Sequence, residues 1–205
     1  MSTPQNAWKT RLVVGGFPDR SFDIEFWQEQ GDEAIFAAAW ELVLLAEEVR
    51  NGREPTPQEL LRLLNEFDVE YLIVGGLAVM KYGEPRYTKD LDVWVDNSPE
   101  NSARVVAALR KFGAPIEHDH ITVETFTNKQ IVYQIGVAPL RIDILTQLTG
   151  VAFPQAWKSK VSSTFFGVPV NFISLDDLIA NKQALGRTSD ANDLRQGWNS
   201  GHSKK

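Results

Sequence analysis

Hydrophobic and polar positions change their period several times along the chain, and each change marks an element. Residues 33–50 (EAIFAAAWELVLLAEEVR) contain no proline or glycine and set Ile35, Phe36, Ala39, Trp40, Val43 and Leu44 on one broad stripe, which predicts a helix stopped by Asn51-Gly52. A second helix is expected from Pro57 to about Phe67: Thr56 supplies the N-cap hydroxyl, Pro57 suits the first helical position and Glu59 is placed for a capping box. Its inward positions are Leu60, Leu61, Leu64 and Phe67. From residue 69 the pattern turns strand-like (VEYLIV), breaks at Gly75-Gly76, and continues as a short helix (LAVMKY) ended by Gly83. LDVWV predicts the next strand, and Ser98-Pro99 starts a helix running to about Lys111. Further strands are expected over 122–126, 131–137, 140–145 and 168–173, and Ser174 with Asp177 caps a closing helix over 175–185. The order predicts an α/β (α+β) fold, a mixed β-sheet flanked by helices. A polar link at 51–55 divides an acidic helical N-terminal extension, 1–54, from a main domain, 55–205. No internal repeat is visible; the second VGG, at 14–16, leads into Phe-Pro-Asp rather than a helix.

Composition narrows the classes. With 43% hydrophobic and 23% charged residues among 205, the chain lies in the globular range. It has no cysteine, which excludes disulfide frameworks, thiolate nucleophiles and zinc ribbons and makes the reducing cytoplasm the expected location. No apolar run approaches the roughly 20 residues that cross a bilayer, and the N-terminus lacks the apolar stretch of a signal peptide, so no membrane association is expected. The net charge of −6 argues against coating nucleic acid through general phosphate attraction. That charge is uneven: residues 1–70 hold 14 acidic and 6 basic side chains, the remainder 13 and 15. An acidic segment of this kind either extends the core or covers a positive site elsewhere on the molecule.

The candidate chemistry begins with Asp90 and Asp92 in KDLDVWVD. A strand sends alternate side chains to one face, so these carboxylates are neighbours while Leu91 and Val93 face the core. Asp143 in LRIDILT joins them if its strand lies alongside. Like charges about 4 Å apart repel by roughly 4 kcal/mol at an effective dielectric of about 20, so such a cluster needs a cation. Magnesium fits, because it prefers carboxylate oxygens and is commonly completed by substrate phosphates. The alternative is an ion-pair network in which Arg86, Lys89 or Arg141 neutralises the carboxylates. Gly75-Gly76, between a buried strand and a helix, offers unobstructed backbone amides to a phosphate group. Neither G-x-x-x-x-G-K-[ST] nor G-x-G-x-x-G is present. His118-Asp119-His120 shows no third ligand and reads as a solvated turn.

Taken together, YLIVGGLAVMKYGEPRYTKDLDVWVD resembles the signature of the nucleotidyltransferase superfamily related to DNA polymerase β, especially the small bacterial branch near the AbiEii and MNT toxins. The matching positions are Gly75, Gly76, Gly83, Arg86, Thr88, Asp90 and Asp92, with Asp143 as third carboxylate. The closing stretch resembles that branch's last helices through Lys182, Arg187, Asp190 and Asp193. Gly76 departs from the many relatives that carry serine there. The resemblance covers about residues 65–197 and implies a nucleotidyltransferase fold. It also implies that two magnesium ions on Asp90, Asp92 and Asp143 align an NTP while an acceptor hydroxyl attacks its α-phosphate. Asp143 would help remove the hydroxyl proton, Lys182 and Arg86 would reach the outer phosphates, and Gly75, Gly76 and Thr88 would line the nucleotide site. The implied acceptor is tRNA or a protein, as for a toxin paired with an antitoxin. An antibiotic-modifying transferase and a partner-binding module without turnover are the alternatives.

Overall fold

The computed structural model describes residues 21–37, 56–83, 88, 90–135 and 141–186. The chain opens with α1 (Ser21–Gln30) and a helical stretch over 32–37, the described part of the helix predicted for 33–50. There follow α2 (Pro57–Glu66), β1 (Tyr71–Ile73), α3 (Gly75–Tyr82), β2 (Asp90–Val95), α4 (Pro99–Phe112) and α5 (Val123–Thr127). The second half comprises β3 (Val132–Ile135), β4 (Arg141–Leu145), α6 (Phe153–Lys158), β5 (Val161–Phe165), β6 (Val168–Phe172) and α7 (Leu175–Ala184). Six strands form one sheet in the order β3-β4-β2-β1-β6-β5. It is mixed: β2 runs parallel to β4 and β1 parallel to β6, whereas β1–β2, β3–β4 and β5–β6 are antiparallel. The expected α/β class with a helix-flanked mixed sheet is therefore the observed one. Among the described residues, no helix is long and apolar enough to cross a membrane.

Local chemistry explains most boundaries. The Thr56 hydroxyl accepts from the Glu59 amide at 3.3 Å, and the Ser98 hydroxyl from the Asn101 amide at 3.4 Å, so the predicted caps open α2 and α4. Ser174 accepts from the Asp177 amide and donates to its carboxylate, starting α7. Gly113, at φ +86, closes α4 in the left-handed conformation. Asn101 is almost wholly buried yet fully engaged: its amide group bridges the backbone of Glu70 and Asp96 and so pins α4 to the ends of β1 and β2.

Three expectations change. Residues 122–126, predicted as a strand from their β-branched character, form the start of α5, because the Thr125 hydroxyl accepts from the Thr122 amide at 3.0 Å and satisfies a helix N-terminus. The helix expected from Leu77 begins at the glycines themselves. No element is predicted between residues 145 and 168, where the structure has α6 and β5; β5 is joined to β6 by a tight turn in which Phe166 (φ +48) and Gly167 (φ +74) reverse the chain.

The apolar core lies on both sides of the central strands and includes Leu72, Ile73, Val93, Val95, Ile142, Ile144 and Phe172, all essentially inaccessible. It also includes Ile35 and Phe36. The Phe36 ring stacks on Phe172 with centroids 5.5 Å apart and meets Phe165 edge-on at 5.3 Å. The stripe predicted for the acidic helix thus buries a face against β5 and β6. Its later members, Ala39, Trp40, Val43 and Leu44, lie outside the described residues.

Candidate active site

The sheet register assembles the carboxylates. Asp90 stands opposite Arg141 and Asp92 opposite Asp143, so β2 and β4 present four alternating residues on one face, three acidic and one basic. Leu91 and Val93 take the other face and are buried, as their alternation predicts. Asp143 is 6% exposed; Asp90 and Asp92 are half-buried.

The glycine turn is fitted to the same spot. Backbone pairing continues past β1, the Val74 amide donating to the Asp92 carbonyl at 3.0 Å, so the chain is beside Asp92 when it turns into α3. Gly75 makes that turn at φ +62, and a Cβ there would lie 1.8 Å from Asp92 Oδ2. Both the dihedral and the space exclude a side chain. A Cβ on Gly76 would stand 2.5 Å from the Thr88 hydroxyl. The Thr88 side chain thus occupies the room that a side chain at Gly76 would need. Thr88 in turn approaches the carbonyl and the carboxylate of Asp90, at 3.3 Å each.

Electrostatics record the crowding. Burial, with the charges of Asp90 and Asp143 adding to it, pushes the Asp92 carboxyl up to about 6; the Gly76 amide, which donates to it at the positive end of α3, and the Arg141 guanidinium oppose the shift. Arg141 Nε donates to Asp143 Oδ1 at 2.9 Å and its Nη2 donates to Asp90, one planar group tying the two strands together. Its own proton is held more firmly in consequence. Gln134, opposite Asp143 on β3, points its amide nitrogen at both carboxylate oxygens, 3.2 and 3.4 Å away.

The structure thus brings together Gly75, Gly76, Thr88, Asp90, Asp92 and Asp143. Lys182, 4% exposed, is on α7, which packs against α3. Arg86, Lys89, Arg187, Asp190 and Asp193 lie outside the described residues. Of the three proposed neutralising cations, Arg141 is the one seen in contact. Gln134 was not singled out in the sequence, because its relevance depends on which strand lies beside β4. The His118–Asp119 turn is a surface feature, with Asp119 accepting from His118 and from the Tyr133 hydroxyl.

As a donor set, three carboxylates with an excess of negative charge suit a hard divalent cation. As arranged, no three acidic or imidazole groups among the described residues converge as a metal-holding group, and the guanidinium engages two of the three carboxylates. The residues fit the ion in kind; the arrangement is closed by Arg141.

One of three comparisons with known proteins bears on this site. No curated protein matches the sequence. A Thermotoga maritima protein provisionally assigned as a nucleotidyltransferase, with a crystal structure at 1.87 Å, is 16% identical and superposes with a TM-score of 0.40, covering 74% of this chain and 99% of its own. The profile of the aminoglycoside-2''-adenylyltransferase family matches residues 58–194, a span that contains the glycine turn and all three carboxylates. With more than half of its length matched, the chain belongs to the aminoglycoside-2''-adenylyltransferase family, and so to the nucleotidyltransferases.

Proposed function

We propose that the protein moves a nucleoside monophosphate from an NTP to an acceptor hydroxyl at the β2–β4 carboxylates. The observation that carries this reading is the register that sets Asp92 against Asp143, with Asp90 on the same face and the start of α3 packed on Asp92. Two magnesium ions, held by Asp90, Asp92 and Asp143, would supply positive charge to the phosphates and to the leaving pyrophosphate. The chain's own groups do the rest. The side-chain-free start of α3 lets Asp92 and Thr88 pack against the positive end of that helix, and Lys182 and Arg86 offer charge to the outer phosphates. Asp143 accepts the acceptor's proton as its oxygen bonds to the α-phosphorus and the bond to the bridging oxygen breaks.

Two acceptor readings have separate support. Resemblance to the AbiEii and MNT branch favours a tRNA or protein hydroxyl, and with it a toxin whose antitoxin would be a partner. The family match favours a hydroxyl of an aminoglycoside, with ATP as donor. Charge sides with the second: a polycationic antibiotic is drawn to a protein of net charge −6, whereas the polyanionic backbone of tRNA is not. Cysteine-free composition suits action in the cytoplasm.

The deciding assay incubates the protein with magnesium and each labelled NTP, offering mixed tRNA, protein extract or an aminoglycoside. Label should pass to one acceptor class from one preferred NTP, and the Asp90→Asn plus Asp92→Asn protein should lose at least a thousandfold in rate. Transfer that survives the double substitution would remove the assignment.

A further inference from the structure

The four residues facing one another across β2 and β4 carry a formal charge of three minus and one plus, and the plus is not a bystander. Arg141 is opposite Asp90 in register and two residues before Asp143 on its own strand, so its planar fork lies between a carboxylate of each strand. Its N–H groups engage Oδ2 of Asp90 and Oδ1 of Asp143, oxygens that a divalent cation between these residues would need. A guanidinium does not leave such a site by losing its proton, so it leaves only by moving. The side chain has room to move, being 32% exposed.

We infer that Arg141 is a positioning residue that holds Asp90 and Asp143 together in the metal-free protein and competes with the divalent cation for them. The inference rests on the reading that these carboxylates take the metal. Binding of the ion then exchanges one cation for another: guanidinium contacts to Asp90 and Asp143 are given up, metal–oxygen contacts replace them, and the guanidinium moves aside still protonated. A lysine in this place would supply charge but could not span both carboxylates.

Mn²⁺ serves as the probe. The free protein is titrated with Mn²⁺ at low ionic strength, the unbound ion is followed by electron paramagnetic resonance, and the melting temperature is recorded at each concentration. Arg141→Gln should melt lower than the parent protein without Mn²⁺, bind Mn²⁺ more tightly by roughly tenfold, and regain most of the lost melting temperature as Mn²⁺ saturates. Arg141→Lys, which keeps a charge and is the safer variant to fold, should fall between the two. Equal or weaker Mn²⁺ binding by Arg141→Gln and Arg141→Lys, with binding still abolished by Asp90→Asn plus Asp92→Asn, overturns the competition and leaves the metal reading standing. Mn²⁺ bound by none of these proteins, or bound equally by the double aspartate variant, overturns both.

Discussion

Asp92 is asked to do opposite things. Its backbone extends the β1–β2 ladder into the turn and its carboxylate accepts from the Gly76 amide, yet it shares its surroundings with Asp90 and Asp143. With the carboxyl pushed up to about 6 from 3.8, the folded protein binds a proton that the unfolded chain has already released between those values. Stability therefore falls as pH rises from about 4 to about 6, and the ionised group costs roughly 2–3 kcal/mol at neutral pH. Asn can still accept from Gly76 and brings no charge. The Asp92→Asn protein should therefore be more stable than the parent by about 1–3 kcal/mol at pH 7 without metal, show no such slope between pH 4 and 6, and be inactive. Urea denaturation across that pH range, with the transfer assay, checks all three.

At the scale of elements, α3 is held at both ends. Its start lies on Asp92; at its other end Gln28 donates to the carbonyls of Lys81 and Gly83 at 3.0 and 2.9 Å, and Tyr82 donates to the Ile173 carbonyl at 2.8 Å. Lys81 is 7% exposed, pairs with Asp32, and lies 5.3 Å from the centre of the Phe172 ring; Asp32 also accepts from Ser163. Asp32→Ala leaves an unpaired buried ammonium and should cost about 3 kcal/mol in urea denaturation, most of it recovered when Lys81→Met is added. This clamp was not legible in the sequence, because it joins residues 49 apart whose contact depends on tertiary packing. Asp90 and Asp92 were legible, since two-residue alternation within one strand puts them on a face whatever the neighbours are. Asp143 could be named but not placed until β4 was seen beside β2. The strand β5 escaped notice because VSSTF is polar and its turn is Phe-Gly, not the Asn-Gly that announces a hairpin. The reading of 122–126 failed for the opposite reason, its β-branched residues suggesting a strand where a hydroxyl cap was at work.

For the whole molecule, the helical stretch over 32–37 supplies part of the same core as the sheet. Phe36, 1% exposed between Phe165 and Phe172, is its main contribution. Phe36→Ala should cost about 3–5 kcal/mol, read as a lower urea midpoint with the denaturant slope retained, while substrate affinity at low temperature stays near the parent value because the rings it meets, Phe165 and Phe172, are on β5 and β6, away from the β2–β4 carboxylates.

The pairing of Asp92 with Asp143 also governs when the protein can become competent during its synthesis. The segment between them must emerge, coil into α4 and α5, pass along β3 and return as β4 before the last acid reaches the first two. A ribosome-bound chain that has exposed only the glycine turn and β2 already displays every distinctive motif of the front half, yet it is chemically silent. The three acids meet only with the closing of that long loop, so a premature stop between residues 97 and 142 yields a fragment with the glycine turn and the first two acids but without the third.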